Sequence, residues 1–112
     1  MLRIDSRTNK ISLTRGDTAY LEINITDDIA GAEYTMAEGD EIALTVKKTV
    51  DDTEALIQKV SKGTNTFHIL PEDTKSLAFG TYKYDIQLTK ENGDVFTVIA
   101  PAAFEIMPEV TT

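Results

Sequence analysis

His68 is the single histidine of the chain and the first residue to weigh for catalysis. It alternates with Phe67 and Ile69, which predicts that its imidazole lies on the opposite face of a strand from two apolar side chains. Hydrolytic triads need a nucleophile, a base and an orienting group that converge, and no serine here lies in a Gly-x-Ser-x-Gly elbow. We therefore expect no catalytic residues and a protein that is not an enzyme, with His68 as a surface or boundary residue.

Carboxylates are numerous, but no cluster has the spacing of a cation-binding loop. The clusters are Asp27-Asp28, Glu38 with Asp40 and Glu41, Asp51-Asp52 with Glu54, and Glu72-Asp73. A calcium loop places several oxygens at alternating positions, as in Asp-x-Asp-x-Asp-Gly. The absence of cysteine also excludes thiolate metal sites, thiol nucleophiles and disulfides. We expect no metal and no cofactor, with one alternative left open: sandwich loops can assemble a calcium site from distant segments.

The sequence Arg15-Gly16-Asp17 spells the tripeptide that integrins recognise. A three-residue match arises easily by chance, and a glycine between two strands is explained by its access to positive φ. We interpret the tripeptide as a tight corner that joins two strands.

Alternation of apolar and polar residues dominates the chain and predicts strands with one buried face. The predicted strands are Ile11–Leu13, Thr18–Ile25, Glu41–Lys48, Ala55–Val60, Thr66–Leu70, Thr81–Thr89, Val95–Ile99 and Phe104–Ile106. One short helical turn is expected to begin at Pro71, and Asn92-Gly93 predicts a hairpin turn in which both residues have positive φ. The whole pattern predicts a single all-β domain over 1–112, an immunoglobulin-like β-sandwich of about seven to eight antiparallel strands with Greek-key connections.

Two tyrosines occupy positions that matter in such a sandwich. Tyr82 comes just after a predicted corner, where immunoglobulin-like domains bury a ring whose hydroxyl bonds to the backbone. Tyr84 falls where those domains often carry the second cysteine of their disulfide. We expect the Tyr84 ring to fill the space between the two sheets.

Charge and composition exclude several classes of partner. The 19 acidic and 11 basic residues give a formal charge of −8, which repels nucleic acid and anionic lipid. The basic residues are scattered, and only Lys47 and Lys48 are adjacent. No stretch approaches the roughly 18 apolar residues of a membrane span. We therefore expect neither a nucleic-acid partner nor a membrane partner.

Three segments carry a resemblance to a known family: Arg15–Thr18, Leu70–Thr74 and Gly80–Leu88. Together with the glycine-containing hairpin and the final Phe104-Glu105-Ile106 and Val110-Thr111, they make nearly the whole chain resemble the N-terminal domain of phage baseplate upper proteins. The resemblance implies an immunoglobulin-like sandwich that anchors further domains in the tails of phages and prophages of Gram-positive bacteria. It also implies synthesis in the bacterial cytoplasm and a final location in the virion tail or baseplate.

We therefore expect a structural module that docks onto other phage tail or baseplate proteins and forms a homo-oligomer. Candidate contact residues are apolar side chains expected to be exposed, namely Ile29, Tyr34, Met36 and Val110. The alternative is a ligand-binding β-sandwich, such as a carbohydrate-binding or adhesin-like module. That function needs a row of exposed aromatic side chains, for which the sequence offers Tyr20 and Tyr34.

Overall fold

Two facing sheets enclose one apolar core. The computed structural model describes residues 3–4, 9–27 and 32–108, and everything below refers to them. The strands are β1 (Arg3–Ile4), β2 (Ile11–Thr14), β3 (Ala19–Glu22), β4 (Thr26–Asp27), β5 (Ala32–Glu33), β6 (Glu41–Lys47), β7 (Ile57–Lys62), β8 (Thr66–Ile69), β9 (Gly80–Thr89) and β10 (Val95–Met107). The helix α1 (Pro71–Lys75) is a single short turn between β8 and β9. An all-β, sandwich-like fold is therefore confirmed, with seven strands of four residues or more in the described segments.

The two sheets are unequal in size. Six strands form the large sheet in the order β1-β2-β10-β9-β6-β7, whereas β3 and β8 form a two-stranded sheet. A further short ladder joins β4 to β5. Along the described strands the chain passes from β2 of the large sheet to β3 of the small sheet and returns to the large sheet at β6. It crosses once more from β7 to β8 and returns again at β9. The immunoglobulin-like and Greek-key assignment remains a prediction.

Strict alternation within each strand builds the core. Every second residue of β2, β3, β6 and the central part of β9 is buried, as the sequence pattern predicts. The buried apolar residues form one cluster, which comprises Ile11, Leu13, Ala19, Leu21, Ile23, Ile25, Ile42, Leu44, Val46, Ile57, Phe67, Ile69, Tyr82, Tyr84, Ile86, Leu88, Phe104 and Ile106. Members come from both sheets, so each sheet buries one face against the other.

One strand pair corrects the prediction of a purely antiparallel fold. β2 runs parallel to β10, with Ile11 opposite Phe104 and Leu13 opposite Ile106. The sequence pattern fixes only which face of a strand is buried. The direction of β2 depends on the corner at Arg15–Asp17, which sends the chain into the other sheet before it returns.

The hairpin between β9 and β10 is present, but its turn differs from the prediction. Gly93 has φ 95°, whereas Asn92 does not have positive φ. The Gly93 N–H donates to the Lys90 carbonyl, and the Lys90 N–H donates to the Asp94 carbonyl. The turn is therefore a three-residue loop between Lys90 and Asp94 that ends in Gly93. The predicted strands Val95–Ile99 and Phe104–Ile106 are joined in one strand, β10, because register shifts between Thr97 and Ala102 accommodate Pro101.

Both tyrosine predictions are confirmed. The Tyr82 hydroxyl donates to the Ala78 carbonyl at 2.7 Å, which ties the corner before β9 to the strand. The Tyr84 ring is buried and packs edge-on against Phe104, with ring centroids 6.0 Å apart. Its hydroxyl donates to the Asn9 carbonyl, and burial raises the pKa of Tyr84 from 10.0 to about 12.

No helix of the described segments is long and apolar enough to cross a membrane.

Replacing Ile86 by alanine is expected to lower the free energy of unfolding by about 2–5 kcal/mol. Ile86 is fully buried at the centre of the core, so the change loses apolar burial and leaves a cavity. Urea unfolding measures the effect. The matched control is Gln87→Ala on the exposed side of the same strand, which should change the free energy by no more than about 0.5 kcal/mol. Equal effects of the two changes would contradict the core assignment.

The raised pKa of Tyr84 predicts a late ionisation step near pH 12 in an ultraviolet absorbance titration. Because the folded protein holds this proton more tightly than the unfolded chain, its contribution to stability is complete below pH 10.0. That contribution falls as the pH rises from there towards about 12. Tyr84→Phe should remove the late step and the associated loss of stability. Ionisation of all four tyrosines in one step would contradict the prediction.

Candidate functional site

The outer face of the large sheet is the broadest surface that the core leaves uncovered. The small sheet of β3 and β8 covers the inner face, and the outward side chains of β2, β6, β7, β9 and β10 whose burial is described are exposed or half-buried. We call this surface the open face. Four adjacent strands, β7, β6, β9 and β10, contribute to it. Their outward residues include Gln58, Val60, Lys62, Glu41, Ala43, Thr45, Lys47, Lys83, Asp85, Gln87, Thr89, Val95 and Thr97.

An uncharged row crosses the open face at right angles to the strands. Val60 lies opposite Ala43, Ala43 lies opposite Gln87, and Gln87 lies opposite Thr97. Four strands at the usual spacing make this row about 15 Å long. Val60 is 54% exposed, and Val95 on the neighbouring row is 56% exposed. In a chain with 27% charged residues, this row gives a partner a surface that costs less to desolvate than a charged one.

Charged residues lie on either side of the uncharged row. Lys47 lies directly opposite Lys83, a like-charged pair that is unfavourable on its own, and Asp85 shares their face two residues further along β9. They line a shallow hollow of about 130 Å³ together with Thr45, Val50, Tyr84 and Pro101. This volume is below the roughly 300–1,000 Å³ of ordinary ligand pockets. The open face is therefore suited to contact with another protein surface.

The edge strand β7 carries a charge that opposes strand pairing. Lys59 points towards the inside of the sandwich, and its ammonium group lies 2.7 Å from an Asp73 carboxylate oxygen of α1. The same carboxylate accepts a hydrogen bond from the Leu70 N–H. A lysine directed inwards on an edge strand is a common protection against edge-to-edge aggregation. Contact through the open face is therefore favoured over extension of the sheet at β7.

A stacked aromatic pair lies on the opposite side of the molecule, on the outer face of the small sheet. Tyr20 of β3 and His68 of β8 are directly opposite each other, with ring centroids 4.4 Å apart and an angle of 8° between the rings. Tyr20 is 67% exposed. We call Tyr20, His68 and their outward neighbours Glu22 and Thr66 the stacked patch.

Asp40 holds together three loops at one end of the sandwich. Its buried carboxylate accepts hydrogen bonds from the Tyr34 hydroxyl, from the Ala37 N–H at 3.1 Å and from the Glu91 N–H at 3.3 Å. Its carbonyl accepts from the Gly63 N–H at 2.8 Å. The Tyr34 hydroxyl is the largest cause that lowers the pKa of Asp40 from 3.8, followed by the Ala37 N–H, while burial opposes them.

Two of the four predicted contact residues are partly buried, and the other two lie outside the described residues. Tyr34 and Met36 were expected to be exposed, but both are partly buried and pack against the core. The physical reason is that the loop from 34 to 40 folds back over the end of the sandwich through Asp40. Ile29 and Val110 lie outside the described residues. Whether these four residues contact a partner remains a prediction.

The Arg15-Gly16-Asp17 corner makes contacts with the segment that contains α1. Gly16 has φ 84°, and its N–H donates to the Thr74 hydroxyl at 2.8 Å. The Arg15 guanidinium stacks on the Phe79 ring at 4.2 Å and donates to the Leu77 carbonyl. The tripeptide therefore fastens the corner between the two sheets to the segment that contains α1. This arrangement supports its interpretation as a corner.

His68 lies where the sequence pattern predicts, on the exposed face of β8. Its ring partner is Tyr20 on the neighbouring strand. Within residues 9–27 and 32–108, no group of three or more histidine, aspartate or glutamate side chains is arranged to hold a metal ion. Sequence reasoning did not identify the open face, because its members become neighbours only through the order of the strands.

No protein-family model and no curated protein sequence matches this chain. The candidate surfaces therefore rest on the residues and their geometry.

The Asp40→Asn variant is expected to be less stable than the parent at neutral pH, and this difference should shrink in acid. A pKa below 3.8 in the folded state means that stabilisation by the Asp40 carboxylate is present above that value. It is lost as the pH falls through the folded pKa. Urea unfolding at neutral pH and in acid measures the difference. Asp51→Asn at an exposed acid is the control, and a difference from Asp40→Asn that does not change with pH would contradict the prediction.

Proposed function

We propose that this protein is a non-enzymatic structural module of a phage or prophage tail that docks onto neighbouring baseplate proteins through its open face. The observation that carries the proposal is the uncharged row of Val60, Ala43, Gln87 and Thr97, which crosses four strands and is not covered by any element within residues 9–27 and 32–108. A flat surface of this kind favours a protein partner, because apolar groups gain from the removal of water and neutral polar groups cost less to desolvate than charged ones.

Protein–protein contact through the open face also agrees with how the rest of the molecule is built. The edge strand β7 carries the inward-directed Lys59, and a charge in that position opposes pairing with the edge of another chain. The hollow on the open face is too small to enclose an ordinary ligand. These features support assembly by face contact, with the strands of each chain remaining within their own sandwich.

The phage context rests on the resemblance in sequence. The Arg15–Asp17 corner, the Leu70–Thr74 segment and the Tyr82 strand carry the resemblance, and here they form one connected structural unit. The protein would accordingly reside in the virion tail or baseplate after synthesis in the bacterial cytoplasm. Other tail proteins and further copies of this chain would be its partners.

A carbohydrate-binding or adhesin-like function has less support. It needs several exposed aromatic rings on one sheet, and the sequence offered Tyr20 and Tyr34 for that purpose. Tyr20 is exposed, but Tyr34 is partly buried and its hydroxyl is bound to Asp40. The row of aromatic rings therefore does not form from this pair, and we favour a docking function.

Light scattering of the purified protein should show particles that contain more than one 12.4 kDa chain. Because the charge of −8 repels neighbouring copies, we expect association to strengthen as salt is added. Val60→Glu places a charge in the uncharged row and should shift the particles to single chains. Asn24→Glu adds the same charge at an exposed position next to the small sheet and should leave the particle mass unchanged.

Two outcomes would contradict the proposal. Single chains at every protein and salt concentration would exclude self-association, and equal effects of Val60→Glu and Asn24→Glu would exclude the open face as the contact. The phage context has its own test in the gene neighbourhood, where we expect tail and lysis genes on either side. A neighbourhood of metabolic genes would argue against a virion role even if the open face mediates association.

A further inference from the structure

We propose that the stacked patch binds an arginine side chain presented by a basic partner protein. The patch lies on the outer face of the small sheet, on the opposite side of the sandwich from the open face. It has no part in the docking described above, so this inference does not depend on that function. Its components are the exposed Tyr20 ring, the His68 ring stacked on it, and the Glu22 and Thr66 side chains on the next row.

The Tyr20 ring is stacked on a neighbouring ring and is also exposed to solvent. His68 lies parallel to it at 4.4 Å, and the antiparallel register places the two residues directly opposite each other. Stacking restricts the rotation of the Tyr20 side chain, which reduces the entropy lost when a partner packs on it. Tyr20 is nevertheless 67% exposed, the largest exposure of any large apolar or aromatic side chain in the described part of the chain. A large ring that is both ordered and exposed is a suitable anchor for an interface.

Glu22 supplies a negative charge beside the ring. It is two residues from Tyr20 on the same face of β3, which corresponds to about 7 Å along the strand. Glu22 is exposed and has no cationic partner among the residues that the structure describes. The Thr66 hydroxyl lies on the strand opposite and adds a hydrogen-bond acceptor. An aromatic face next to a carboxylate presents the two surfaces that a guanidinium group recognises.

An arginine side chain fits the stacked patch better than a lysine side chain does. Its planar guanidinium can stack on a ring while its N–H groups donate to a carboxylate, whereas a lysine ammonium is compact and strongly hydrated. The same chemistry already occurs within this molecule, since the Arg15 guanidinium stacks on Phe79 at 4.2 Å and donates to the Leu77 carbonyl. The charge of −8 attracts a basic protein to this surface and repels nucleic acid.

The test is an NMR titration of the isotope-labelled protein with two peptides, acetyl-Gly-Arg-Gly-amide and acetyl-Gly-Lys-Gly-amide. We expect the arginine peptide to shift the amide signals of β3 and β8 and to bind more tightly than the lysine peptide. Tyr20→Ala should weaken binding of the arginine peptide about two- to fivefold, the effect of losing an exposed cation–π contact. Glu22→Gln should weaken it to a similar extent.

Matched variants separate recognition from general attraction. Tyr20→Phe keeps the ring and should retain binding, and Glu72→Gln removes one negative charge from an exposed position on α1 and should leave binding unchanged. Val60→Glu alters the open face and should not weaken peptide binding. This variant distinguishes a failure of the docking proposal from a failure of the arginine site.

Several results would overturn the inference. These are equal binding of the two peptides, unchanged binding by Tyr20→Ala or Glu22→Gln, and shifts confined to the acidic loop of Asp51–Glu54. The absence of shifts in β3 and β8 up to the solubility limit of the arginine peptide would also overturn it. Saturable binding of a sugar that Tyr20→Ala abolishes, without binding of the arginine peptide, would assign the stacked patch to carbohydrate instead.

Discussion

The apolar contact between two sheets of unequal size is the constraint on which the rest of this structure depends. The chain has no cysteine, so no disulfide joins the sheets and the buried side chains must hold them together. Tyr84 lies between the sheets, packs on Phe104 and bonds to the backbone at Asn9. A buried ring of this size provides far more apolar contact than a small side chain would, and its single polar atom is satisfied.

The inequality of the sheets decides which surfaces are available for function. A two-stranded sheet can cover only one face of a six-stranded sheet, so the other face must remain at the surface. Its neutral row, the protected edge at β7 and the small size of the hollow beside Lys47 and Lys83 are the observations behind the proposed contact with another flat protein surface. The small sheet has an outer face of its own, where the stacked patch combines an ordered ring with a carboxylate. The two surfaces face opposite directions, which allows one molecule to link two partners.

Polar contacts secure the ends of the sandwich that the apolar core does not reach. Asp40 gathers the loop from 34 to 40, the turn at Gly63 and the turn at Glu91 through hydrogen bonds to one residue. The corner at Gly16 is fastened to α1 through Thr74, and the corner before β9 is fastened through Tyr82. Each of these bonds satisfies a buried or half-buried polar group, which would otherwise destabilise the fold. The two proposed contact surfaces therefore lie on a scaffold whose described corners at Gly16, Asp40 and Tyr82 are held by hydrogen bonds.

The amino-acid sequence by itself determined the fold class, most strand positions and the buried residues. Alternation along Glu41–Lys47 and Gly80–Thr89 is a local property, because a strand turns successive side chains to opposite faces. Tyr82 and the Pro71 helix could be predicted for the same reason, since their partners lie within a few residues. Only the tertiary structure decided the parallel direction of β2 beside β10, the burial of Tyr34 and Met36, and the composition of the open face and the stacked patch. These features join residues far apart in the chain, such as Tyr20 with His68, and a pattern of neighbouring residues carries no information about which strands become adjacent.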